Sequence, residues 1–188
     1  MPTIMTHPAV ALGLFPWFRG QIGRPGVLIA GALLTMAPDL DVIGFRLGIP
    51  YEHMLGHRGI THSLPFALLA SAIVAVTAAR IWRLHFGILW AYFFLCMASH
   101  GLLDMLTSGG LGIALFAPFD NERYFFDIRP IRVSAIGASD FLNGRWRAVL
   151  GSELQWIWAP ALALAATGLA ARLLLGRLRR RPAPVEAE

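Results

Sequence analysis

Seven of the histidines and aspartates of this chain stand in motifs suited to divalent-metal chemistry, and their spacing sorts them into groups. His7 stands in Met5-Thr6-His7, and Asp39 and Asp41 bracket Leu40 after Pro38. His57 and His62 belong to His57-Arg58-Gly59-Ile60-Thr61-His62-Ser63, and His100 and Asp104 close an apolar run. His100 and Asp104 are four apart, so on a helix they project from one face and can bind one ion together. His57 and His62 are five apart, which is poor helix geometry for sharing a metal. One or both must come from a loop or a helix start, and Gly59 permits the tight turn this needs. Two carboxylates in a post-proline turn can both point inward or bridge. Imidazole nitrogen and carboxylate oxygen suit zinc first, with manganese and iron as alternatives. The set suffices for one metal with supporting partners, or for two metals sharing carboxylates. Pro118-Phe119-Asp120 is a further polar landmark.

The elements that must position these residues are apolar. The chain is 56% hydrophobic, above the ~45–50% usual for soluble domains, and the excess falls in long runs. Two short segments, 8–18 and 27–37, are each about 11 residues, or roughly 16 Å of helix. Thr6 and Pro8 suit the start of the first, and Pro38 ends the second. At half the hydrocarbon thickness, they suit a re-entrant helical hairpin or helices packed against longer neighbours. Residues 39–63 read as a loop with one short helix. Runs at 64–79, 86–106 and 154–175 read as spans, separated by an irregular stretch at 107–152. The expected fold is an all-α, multi-pass transmembrane bundle with a short N-terminal hairpin and a long irregular loop region. Residues 1–176 form one membrane-embedded domain, and 177–188 form a basic, disordered tail.

With helices of alternating direction, His7, the Asp39/Asp41 turn, His62 and the His100/Asp104 pair all fall on one side of the membrane. Scattered polar residues would show no such agreement. Arg19, Arg24, Arg80, Arg83 and the C-terminal arginines fall on the other side, which holds almost no acids outside the tail. The positive-inside rule puts that side in the cytoplasm and the metal residues on the periplasmic face.

Blander readings exist for each residue. His85 suits a solvated interfacial turn and His53 a loop surface; neither is expected to act. Asp39 and Asp41 alone could stop a helix, and His100 with Asp104 could be a hydrogen-bonded pair. A carboxylate at the centre of a membrane helix costs ~2.5–3.5 kcal/mol on insertion scales, and a shared cation compensates several such groups together. Ser63 and Ser99 lack the Gly-x-Ser-x-Gly elbow of a nucleophile. Gly109-Gly110-Leu111-Gly112 lacks the lysine of a phosphate loop, and the chain has no lysine at all. The pI near 10.6 reflects arginines that flank apolar runs, so no nucleic-acid partner is expected. The single cysteine, Cys96, excludes an intrachain disulfide and thiolate metal clusters. The N-terminus shows none of the regions of a cleaved signal peptide.

The ordered motifs Met5-Thr6-His7, Pro38-Asp39-Leu40-Asp41, His57 to Ser63 and Ser99-His100-Gly101-Leu102-Leu103-Asp104 resemble the YdjM/YbcI family. So do Ala117 to Phe126 and Arg129-Pro130-Ile131-Arg132-Val133-Ser134. The resemblance spans about residues 5–137. It implies a bacterial inner-membrane, metal-dependent hydrolase; some members are named LexA-binding because of their regulation.

The reading that follows is a multi-pass metallohydrolase. His7, Asp39, His62, His100 and Asp104 hold the ion, with Asp41 and His57 at or beside it. Asp41 or His57 takes the proton of the attacking water. Arg58, Arg123 and Arg132 grip a phosphate or carboxylate, which favours a lipid or phosphoester substrate reached from the bilayer, with amide or ester hydrolysis as the other option. The alternative is a non-enzymatic membrane protein that binds, senses or transports metal ions. A transporter needs polar residues through the membrane depth, which runs 64–79 and 154–175 largely lack. A third reading is a structural membrane partner whose aspartates pair with arginines.

Overall fold

The computed structural model describes residues 1–134 and 146–179. The expected disordered tail lies mostly outside them. Helix α1 is Pro8–Ile22 and α2 is Pro25–Met36. Each opens on a proline, whose missing N–H belongs to a first-turn group that has no helical partner anyway. A 3-10 turn, Ala37–Val42, leads into the short α3, Ile43–Arg46. Helix α4, Leu64–Trp82, is capped by Ser63, whose Oγ accepts from the Phe66 N–H at 3.2 Å. It ends at Arg83 in the left-handed conformation, and α5, Phe86–Met105, returns. The last stretch is α6, Trp146–Glu153, then a π-helical turn at Leu154–Trp158, then α7, Ala159–Arg179.

Among the described residues there is no strand. Two isolated bridges, Thr107 with Ile131 and Ile113 with Tyr124, pin the loop that follows α5. Four helical stretches are long and apolar enough to cross a membrane: Pro25–Arg46, Leu64–Trp82, Phe86–Met105 and Trp146–Leu178. This is the multi-pass helical bundle the sequence predicts. At 15 residues, α1 is about 22 Å long, short of the ~30 Å hydrocarbon core.

The α-helix of the second segment does end just before Pro38, at Met36, and Pro38 sits in the first turn of the 3-10 helix that carries the chain on, where its ring is tolerated. One boundary differs from expectation. The last helix begins eight residues before 154. Pro160 cannot donate the bond a regular helix needs there, and the π turn just before it absorbs the mismatch.

Helix α5 is the centre of the bundle. It packs on α1, α2 and α4, and α1 packs in turn on α7. Leu89, Tyr92, Phe93 and Cys96 of α5 are fully buried, and the Tyr92 hydroxyl donates to the Ala11 carbonyl at 3.1 Å. The outer faces carry exposed Leu69, Ile73, Leu162, Leu173 and Leu174. Such an apolar exterior on long helices belongs in a lipid bilayer. Helices α1 and α4 leave the end of the bundle that carries His7 and His62, and α2 and α5 come back to it.

Candidate metal centre

Local structure brings the donors to that end. His7 immediately precedes α1, and the 3-10 turn after α2 carries Asp39 and Asp41. His62 ends a short 3-10 turn, Ile60–His62, before α4, while His100 and Asp104 lie in the last turns of α5. Gly101 allows the close approach. A Cβ there would lie 2.6 Å from the His62 carbonyl oxygen, so only glycine lets the His62 backbone settle on α5. Gly59 does the same inside the loop, where a Cβ would strike the carbonyls of Met54 and Gly56.

Asp39, His62, His100 and Asp104 are all buried, and one donor atom from each lies within 4.8 Å of the others. The Nε2 atoms of His62 and His100 are 3.0 Å apart. Asp39 Oδ1 is 3.6 Å from His62 Nε2 and 3.4 Å from His100 Nε2. Asp104 Oδ2 is 3.5 Å from His62 Nε2. Ligand atoms about 2.0–2.1 Å from one ion in a tetrahedron stand about 3.3–3.4 Å from each other. The donor set therefore fits a divalent cation and could hold one.

The supporting contacts orient these donors. His100 Nδ1 faces the Thr35 carbonyl at 2.7 Å, so it carries the proton and Nε2 keeps its lone pair. His62 Nδ1 lies 3.2 Å from Asp41 Oδ2, which also accepts from the Thr61 hydroxyl at 2.7 Å and from the Arg58 N–H at 3.2 Å. Asp41 Oδ1 meets His57 Nδ1 at 2.6 Å. One carboxylate thus organises the whole His57–His62 segment, and Asp41, His57 and His62 form a second close group.

His7 stacks on His100, with ring centroids 3.9 Å apart. Both its nitrogens are buried without a hydrogen-bond partner; the carboxylates of Asp39 and Asp104 also make no hydrogen bond, although one oxygen of each lies in ion-pair range of His62, His100 or Arg58. An unsatisfied buried polar group costs ~1–3 kcal/mol, so this concentration of lone pairs is itself a mark of cation chemistry. Burial, with the neighbouring His100, pushes the His7 imidazole down to about 3, which keeps it neutral and ligand-competent. Burial would also lower His62, but contacts with Asp104, Asp39 and Asp41 outweigh it and raise the imidazole to about 10. Three carboxylates thus hold a positive charge at this point.

The arginines are placed differently from expectation. Arg58 is fully buried, with backbone φ of +62° in the left-handed region that side chains rarely adopt. Its Nε is 3.0 Å from Asp104 Oδ2, and its remaining nitrogens donate to the Gly109 carbonyl at 2.9 Å and the Thr107 hydroxyl at 3.0 Å. This guanidinium is spent on the protein and offers no face to an outside anion. Arg123 donates to the carbonyls of Tyr51, His57 and Arg58 and stacks over Tyr51, which ties the two loops together. Arg132 is exposed. Asp120 accepts from the Tyr124 hydroxyl near the surface, apart from the cluster. His53 and His85 are exposed, as expected of them.

Glu153 has no counterpart in the sequence reading. It is buried and accepts from the Thr3 N–H and from the hydroxyls of Thr3 and Thr6, at 2.5–2.7 Å. It anchors the N-terminal segment beside His7. A lone carboxylate at the edge of an apolar helix is the signal that could have found it.

Fold and site together define a multi-pass helical membrane protein with a buried His/Asp cluster at one end of the bundle. Residues 1–178 match the family described as YdjM inner membrane protein, and the chain belongs to that family. It is similar to "Inner membrane protein YbcI" of Escherichia coli (strain K12), at 35% identity over 164 residues, 87% of this chain and 95% of that protein. No solved structure matches it.

Proposed function

We propose that this protein is a membrane-bound, metal-dependent hydrolase. The observation that carries the reading is the convergence of the His62 and His100 Nε2 atoms, 3.0 Å apart, on the carboxylates of Asp39 and Asp104. A divalent cation held there would lower the pKa of a water and polarise the scissile bond. Zinc suits the donors best, with manganese or iron as alternatives. The chain's own residues supply the rest. Asp39, His62, His100 and Asp104 hold the ion. His7, neutral and unpartnered, completes the set or hydrogen-bonds the substrate. The Asp41–His57 pair, at 2.6 Å, is the candidate proton acceptor, with Asp41 keeping the imidazole oriented. Arg58 acts through Asp104 by fixing its carboxylate and balancing its charge.

A lipid-like or phosphoester substrate is supported by the segment that carries Asp39 and Asp41. Leu40, Ile43 and Leu47 of that segment are exposed, so an apolar rim flanks the centre. The centre lies at the end opposite the acid-free arginine face, which supports a periplasmic location.

Complete burial of four protein donors favours a second reading, a non-enzymatic metal-binding or sensing protein, because closed sites are typical of structural metals. Metal quantification on detergent-purified protein, beside His100→Ala, tests the binding that both readings need. Equal stoichiometry in the two would sink both. Screening of phosphoester and lipid substrates with loaded protein then separates them: turnover abolished by His57→Ala with metal retained supports the hydrolase. A reporter fused after Arg181 and found outside the cell would overturn the periplasmic location.

A further inference from the structure

The end of the bundle away from the metal centre has a one-sided charge. Arg19 and Arg24 flank the turn between α1 and α2, Arg80 and Arg83 flank the turn between α4 and α5, and Arg172 and Arg177 lie late in α7. Every carboxylate among the described residues belongs to the other end, in the centre itself, its loops or the start of the last helical stretch. None of these six arginines has a carboxylate partner among the described residues.

A groove of about 480 Å³ opens between α1 and α7 at this end, lined by Trp17, Gly20, Gln21, Arg172, Leu175 and Gly176. Its parts differ in character. The Trp17 indole is fixed as a wall, because its N–H donates to the Leu164 carbonyl at 2.9 Å. Gly20 and Gly176 have no side chains to fill the floor. The Arg172 guanidinium hangs over Gly20, with Nη1 3.7 Å from where a Cβ would lie. Gln21 adds a polar amide, and Leu175 leads onto the exposed Leu169 and Leu173 of the lipid-facing surface.

We infer that this groove binds the headgroup of an anionic phospholipid. An uncommitted guanidinium offers a bidentate fork to a phosphate. An indole beside it suits the membrane interface, and basic pockets between membrane helices take up acidic headgroups. The apolar continuation along α7 gives the acyl chains a path that free phosphate, a nucleic acid or an acidic peptide would not use. The site is independent of the metal centre and stands whether or not that centre is catalytic.

The test uses detergent-purified full-length protein, with retained lipid measured by native mass spectrometry after exposure to phosphatidylglycerol or phosphatidylcholine. The wild type is expected to retain phosphatidylglycerol in preference. Arg172→Gln is expected to reduce that retention about fivefold, the worth of one arginine near an anionic surface. Arg80→Gln, on the same face but outside the groove, is expected to keep it. Gly20→Leu keeps the charge of Arg172 but fills the floor beneath its guanidinium, and is expected to match Arg172→Gln, which guards against a folding defect in the latter. Equal retention of both lipids, an Arg172→Gln protein that binds like wild type, or an equal loss in Arg80→Gln would overturn the assignment. Displacement of the lipid by inorganic phosphate at equal concentration would overturn the lipid as the ligand.

Discussion

The Nε2 atoms of His62 and His100 face each other at 3.0 Å, while the Nδ1 atoms of the two rings are held by the Asp41 carboxylate and the Thr35 carbonyl. Two neutral imidazoles so oriented would point lone pair at lone pair. A positive charge must sit between them, either a proton or a metal ion, and the flanking carboxylates of Asp39 and Asp104 favour either one.

Removing a donor should therefore abolish loading without unfolding the bundle. His100→Ala and Asp39→Ala are expected to lose most bound metal by elemental analysis while keeping wild-type helical circular dichroism. Undiminished metal in both proteins would remove these residues from the centre.

Asp41 supports His62 and holds the His57–His62 segment, so its change should be graded. Asp41→Asn is expected to weaken metal affinity about 10–100-fold, the usual cost of losing a carboxylate behind a ligating histidine. Competition with a chromophoric chelator measures this. Affinity equal to wild type, or loss as complete as in His100→Ala, would contradict the supporting role.

The raised His62 imidazole sets a pH dependence. Contacts with Asp104, Asp39 and Asp41 hold it at about 10, above the ordinary imidazole value of 6.5. Protonated His62 thus stabilises the metal-free protein fully below about 6.5, and that contribution fades as pH rises through about 10. Metal binding must displace the same proton, so apparent affinity should rise about tenfold per pH unit between about 7 and 9. Isothermal titration in buffers of different ionisation enthalpy should find about one proton released per metal. A pH-independent affinity would argue that His62 is neutral or not a ligand.

Arg58→Ala removes the nearer cationic partner of Asp104, at 3.0 Å against 3.5 Å for His62 Nε2. Breaking a buried pair from one side costs about 3–5 kcal/mol, and a bound metal should offset part of that. The expected result is a large drop in Tm for the chelated protein and a smaller drop for the loaded one. Equal drops would mean that Asp104 does not face the ion.

Glu153→Ala removes three hydrogen bonds from Thr3 and Thr6. Bonds to a charged group are worth ~1.5–3 kcal/mol each, although the three are not additive. The N-terminal segment should become cleavable by an added aminopeptidase or nonspecific protease while the rest of the bundle resists. Unchanged protection would show that other contacts hold His7 in place.

What the sequence determined by itself was the class of protein and the end of the bundle at which its histidines and aspartates gather. Apolar runs of span length can only be satisfied in lipid as helices. Alternating helix direction then forces His7, Asp39, His62 and His100 to one end, a consequence of connectivity that needs no coordinates. The four-residue spacing of His100 and Asp104 likewise puts both on one face. Tertiary structure alone decided the division of labour. Whether Arg58 grips a ligand or Asp104 depends on a left-handed backbone at one residue and on a loop that returns Thr107 and Gly109 to it. Whether Asp41 binds metal or orients His57 and His62 depends on where a 3-10 turn aims its side chain. The anchoring of Thr3 and Thr6 by Glu153 joins residues about 150 positions apart in sequence. Side-chain direction and long-range contact follow from how the helices pack, and spacing along the chain carries no record of either.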